Sequence, residues 1–128
     1  ALKIILGDEA RQMGSNITPE RMRFDFSFPR KLTDDEIKKI QVLVNKEIKR
    51  NLPVSCVEMP YAQAVKSGAL SYFRERYPPI VKVYSVGDFS KEICTGPHVA
   101  NTKEMGKFKI IKEESVSAGV RRIKAVLE

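Results

Sequence analysis

Residues 21–53, "RMRFDFSFPRKLTDDEIKKIQVLVNKEIKRNLP", change their period halfway along. In the first part Phe24, Phe26 and Phe28 fall on one side while Arg23, Asp25 and Ser27 fall on the other. A period of two is that of a strand with one buried face, here the aromatic one. From Thr33 onward the period lengthens to that of a helix. Thr33 and Glu36 make a capping box, acids crowd the first turn, and Ile37, Ile40, Val44 and Ile48 form one stripe with Leu43 beside it. Pro53 closes the segment. A strand that runs into a long amphipathic helix sets the fold class as α+β.

On the N-terminal side, Leu2, Ile5 and Leu6 read as the end of a helix that Gly7 stops. The apolar pattern is already under way at Ala1, so the chain is expected to start inside an element and to be truncated there. Gln12, Gly14 and Ser15 read as a small polar turn, and Thr18-Pro19 as a second one. On the C-terminal side, "VSCVEM" is expected to be a short strand, with Cys56 a small buried apolar residue. "PYAQAVKSGALSYFRERY" is expected to be helical on both sides of Gly68, with Pro78-Pro79 ending it. "IVKVYSV" is a strand leading into the Gly87-Asp88 loop, and "GKFKIIKEESVSAGVRRIKAVL" reads as two strands turning near Ala118-Gly119. Together these predict a single domain over 1–128. Its fold is α+β, a mainly antiparallel sheet packed with one long and several shorter helices.

With 42% hydrophobic and 30% charged residues in 128, the chain has the composition of a folded soluble protein rather than a disordered one. No apolar run approaches membrane-spanning length. Two cysteines and no secretory signature point to a reducing, cytoplasmic setting. The net charge of +7 favours a polyanionic partner such as nucleic acid, although an excess of this kind also serves as a solvated face. Arg121, Arg122 and Lys124, with Lys107, Lys109 and Lys112 just before them, are expected to form one basic face able to take phosphates.

Cys94 and His98 stand three residues apart around Gly96-Pro97, and His98 is the sole histidine. A thiolate and an imidazole converging on a tight turn suit zinc, which takes three or four protein ligands. Cys56, Asp88 or Glu92 would have to supply the others. Two alternatives stay open: a buried cysteine near a surface histidine, and an activated thiolate–imidazole dyad. No phosphate-binding glycine loop, dinucleotide fingerprint or Ser-His-Asp set is present.

Four phrases taken in order carry a resemblance: "QMGSNITPERMRFDFS", "GALSYFRERY", "VYSVGDFSKEICTGPHV" and "GKFKIIKEESVSAGVRRIKAVL". Together they resemble the editing domain of alanyl-tRNA synthetase, in the family of second additional domains of threonyl- and alanyl-tRNA synthetases. The resemblance implies an aminoacyl-tRNA ester hydrolase that removes serine or glycine from the alanine tRNA. It implies a zinc ion held by Cys94 and His98 together with an HxxxH pair, which the alignment of phrases puts upstream of Ala1. It also implies that Gln12 is a polar residue of the editing pocket, and that Arg121, Arg122, Lys124, Lys107 and Lys109 hold the tRNA acceptor. The expected partners are tRNA and the other domains of a synthetase. Thr95 and Pro97 depart from the alanyl pattern C-G-G-T-H toward the threonyl G-P-H turn, which bears on amino-acid specificity. The competing expectations are a non-catalytic tRNA-binding module that has lost its metal site and a threonyl-branch editing domain.

Overall fold

The computed structural model describes residues 1–71 and 77–128. Two compact units make up the chain: Ala1–Lys46 with Met105–Glu128, and Glu47–Glu104. Both are antiparallel sheets accompanied by helices, which is the α+β class.

The first unit contains α1 (Leu2–Leu6), β1 (Gln12–Ile17), β2 (Met22–Ser27), most of α2 (Asp34–Lys49), β6 (Phe108–Ser117) and β7 (Val120–Leu127). Its sheet has the order β1-β2-β7-β6, with every neighbouring pair antiparallel. Phe26 and Phe28 are buried and Phe24 half-buried, as the alternation predicts. Across β7, Ile123 and Ala125 face the same side and are also buried. The capping box forms: the Thr33 N–H donates to Glu36 Oε1 at 2.9 Å, and the Glu36 N–H to Thr33 Oγ1 at 3.1 Å.

α2 also closes an exposed sheet edge. The Asn45 amide donates to the Phe108 carbonyl and accepts from the Phe108 N–H, both at 2.8 Å, while Gln41 Oε1 accepts from the Ile110 N–H at 2.8 Å. These bonds satisfy backbone groups of β6 that no further strand pairs.

The second unit is built on β3 (Val54–Pro60), α3 (Tyr61–Lys66), β4 (Ile80–Val86) and β5 (Ser90–Ile93), with β4 central. Val81, Val83 and Ile93 pack on Ala64 and Ala69 to form its core. The last turn of α2 is tied down in this unit: Thr102 Oγ1, itself buried, sits 3.1 Å from the Ile48 carbonyl and accepts from the Leu52 N–H at 2.8 Å.

Three local expectations are corrected, and one strand, β5, is added. Gln12, Gly14 and Ser15 lie in a strand, not a turn; β1 pairs with β2 through a bulge between Gln12 and Gly14. Polar, low-propensity residues hide such a strand, because pairing rather than side-chain burial holds it. β5 escapes notice for a similar reason, since Ile93 is its one apolar residue. Helix α3 stops at Lys66, with Gly68 at φ 88°, and Leu70 bridges to Glu92 instead of continuing the helix. Part of that predicted helix, residues 72–76, lies outside the described residues. Finally, Cys56 is exposed, not buried, because it sits on the open face of its sheet.

Candidate functional site

β4 places Tyr84 at the middle of the open face of the second sheet. Its Cα partners are Cys56 on β3 and Glu92 on β5. Beyond β5 the Cys94 N–H donates to the Lys82 carbonyl at 3.2 Å, so the ladder continues one residue into the turn. The chain then bends at Gly96 and returns His98 over Tyr84. The two rings stack with centroids 3.7 Å apart and planes 15° apart. His98 Nδ1 lies 2.8 Å from the Gly96 carbonyl. A carbonyl only accepts, so Nδ1 carries the proton and Nε2 is the ring's remaining acceptor.

Cys94 is half-buried, and its sulfur lies 3.9 Å from the point a Cβ on Gly96 would occupy, so the thiol lies beside the same bend. Tyr84 is held above the usual phenol range, first by its hydrogen bond with Cys56, then by desolvation and by the neighbouring charge of Cys56 and Cys94. Cys56, Tyr84, Cys94 and His98 therefore form one neighbourhood on the sheet face. Tyr84 is the member that sequence reasoning missed. Its place opposite Cys56 follows from strand register, which no local pattern displays.

The donor chemistry of Cys94 and His98 suits zinc, and a fixed Nδ1–H with a free Nε2 is the arrangement common to metal-binding histidines. Among the described residues, however, no group of three His, Cys, Asp or Glu side chains is placed to hold a metal ion. Asp88, one sequence candidate for a third ligand, instead pairs with Arg50 at 3.0 Å. Two donors fall short of the three or four protein ligands that zinc takes, so the described residues by themselves do not complete a site.

Gln12 lies half-buried in β1 of the first unit, with Nε2 3.4 Å from Ser15 Oγ. The C-terminal cations do not form the single basic face expected. Alternation along β7 puts Arg121 on the core side, opposite Phe26, and Arg122 and Lys124 on the outer side. Arg121 Nε donates to the nearly buried Glu113 at 2.9 Å, and Arg122 grips Asp25 with two bonds of 2.7 and 3.0 Å. Lys112 and Lys124 share Glu114, at 3.0 and 3.3 Å, and Lys109 lies 3.7 Å from Glu128. Lys107 forms no ion pair among the described residues. Most of these charges are already neutralised within the sheet.

The family described as the Threonyl and Alanyl tRNA synthetase second additional domain matches residues 81–124, which include Tyr84, Cys94 and His98. Over 128 residues the chain is 55% identical to an alanine–tRNA ligase of Treponema denticola, covering 100% of this chain and 21% of that protein. Over 127 residues it is 54% identical to the alanine–tRNA ligase of Borreliella burgdorferi, covering 99% and 21%. A Thermotoga alanine–tRNA ligase is 50% identical over 126 residues, covering 98% and 15%. The chain thus spans about a fifth of the length of the first curated relatives it matches.

Proposed function

We propose that the chain is the editing domain of an alanine–tRNA ligase, of the second additional domain family of threonyl and alanyl tRNA synthetases whose model matches residues 81–124. Its substrate in this reading is the ester of a wrongly charged alanine tRNA, carrying serine or glycine. Hydrolysis needs the ester carbonyl polarised and a water brought to it. Cys94 and His98 are assigned as two ligands of a zinc ion whose other ligands come from outside residues 1–128. Bound there, zinc would supply Lewis acidity. The chain's own contribution is orientation: the Gly96 carbonyl fixes the His98 tautomer and Tyr84 fixes the plane of its ring. Gln12 is assigned as a polar contact to substrate. Among the C-terminal cations, Lys107 and Lys109 are the most available to an acceptor stem, since Arg121 and Arg122 are held by Glu113 and Asp25.

The observation that carries this reading is the identity to alanine–tRNA ligases along the whole chain, coupled with a His98 whose Nδ1 is held at the Gly96 carbonyl, at the same bend beside which the Cys94 sulfur lies. A second reading, a tRNA-binding module without hydrolytic activity, draws on the want of a third ligand among the described residues. One measurement separates them: deacylation of Ser-tRNA(Ala) with added zinc, by residues 1–128 and by a longer protein carrying an upstream HxxxH pair. The editing reading expects the longer form to turn over and His98→Ala to abolish that turnover. Inactivity of the longer form, with no zinc bound, refutes it. Equal turnover by the short form and its His98→Ala variant refutes the metal assignment alone. No described helix is long and apolar enough to cross a membrane.

A further inference from the structure

The pairing of the β7 cations leaves a question about where the excess positive charge is free, since most of it belongs to the first unit. On α2, Lys38, Val42 and Lys46 follow one another at intervals of four and so share one side of the helix. This side borders a shallow groove of about 370 Å³ whose floor is Ile5, Val42 and Leu43 and whose rim is Lys38, Lys39 and Lys46. The single acid on the rim, Asp35, is taken by Lys39 at 3.0 Å. Lys38 and Lys46 make no ion pair among the described residues, and Val42, at 59% exposed, is an apolar side chain set between two free ammonium groups.

We propose that this groove of the first unit is an RNA contact surface, with Lys38 and Lys46 on phosphates and Val42 and Ile5 against a ribose or base. The inference rests on the tRNA-binding part of the proposed function and adds to it the surface that does the holding. Charge complementarity favours RNA over an acidic protein segment: the two ammonium groups flank a narrow apolar floor, and a nucleotide presents an anion beside an apolar face in the same way. Strand β7 lacks this property because Arg121, Arg122 and Lys124 already have carboxylate partners.

The test is fluorescence anisotropy with a labelled alanine tRNA transcript, titrated with residues 1–128 over a series of KCl concentrations. The variants are K38Q/K46Q, K38E/K46E and, as a control lysine of the other unit, K66Q; circular dichroism checks that each folds. Removing two phosphate contacts should lower the slope of log affinity against log salt by about 2 and weaken low-salt binding roughly tenfold or more, with K66Q close to wild type. Wild-type binding with an unchanged slope in both double variants overturns the proposal and leaves the editing reading intact. No wild-type binding at low salt overturns both this surface and the tRNA-binding reading. A wild-type dimer that K38E/K46E converts to monomer, with RNA binding unmoved, assigns the groove to a second copy of the chain and likewise overturns the proposal.

Discussion

Two side chains show how little a residue's type says until its partner is known. Tyr84 reads as an ordinary strand tyrosine, yet its ring covers the chain's only histidine at 3.7 Å. Because that histidine is unique, its ring protons can be followed without ambiguity. Tyr84→Leu is expected to move the His98 ring protons downfield in one-dimensional NMR as the ring-current shielding disappears, while Tyr84→Phe keeps them in place. Identical spectra for wild type and Tyr84→Leu would show that the rings do not stack in solution. Arg121 reads as a surface cation, yet it neutralises Glu113, whose side chain is only 2% exposed. Burial pushes the Glu113 carboxyl up, but the bonds from Arg121 and from the Leu32 N–H outweigh it, and the net shift is downward. Glu113→Ala leaves a guanidinium on the core side and an unpaired Leu32 N–H. A loss of about 3 kcal/mol in urea unfolding is expected, against well under 1 kcal/mol for an exposed pair.

At the scale of elements, α2 was the most legible part of the chain and still had an undeclared task. Its cap, its apolar stripe and its end are all written locally, because a helix's hydrogen bonds and neighbours lie within four residues. Asn45 and Gln41 carry no such local meaning; on a helix wheel they are simply polar. In the structure they are bonded to the unpaired edge of β6, more than sixty positions away in the chain. Asn45→Ala strands the N–H and the carbonyl of Phe108 together, so a destabilisation of about 2 kcal/mol is expected, with aggregation rising as the edge opens. A urea midpoint unchanged by Asn45→Ala, with no increase in light scattering, would contradict this role. β1 and β5 mark the opposite case: short polar strands that exist because a neighbouring strand offers a ladder, not because their own side chains require one.

For the whole molecule, the relevant quantity is a positive net charge balanced by carboxylates that the fold holds ionised. Glu36 is brought down to about 2, first by its hydrogen bond with Arg30 and then by the backbone bond from Thr33; Glu113 and Glu114 are also lowered. A carboxyl whose folded value lies below its unfolded one contributes its full stabilisation above the unfolded value. That contribution is lost as pH falls from about 4.5 toward 2, while self-repulsion among the cations grows. The urea midpoint is therefore expected to hold steady near neutrality and to drop through this window, with Glu36→Gln lessening the drop; a midpoint level down to about pH 2.5 would contradict it. The α+β class, the β2–α2 frame and the β6–β7 hairpin are legible along the chain, because periodicity, caps and turn residues act within a few positions. That the β7 cations are spent on Glu113, Asp25 and Glu114, and that Tyr84 backs His98, emerges only once the chain is packed. The packed chain also leaves Lys38 and Lys46 of α2 without an ion pair among the described residues, and it brings Cys94 and His98 to one bend with no group of three candidate ligands among those residues. Each of these depends on strand register or on contact between distant segments, and neither is encoded in the spacing of residues along the chain.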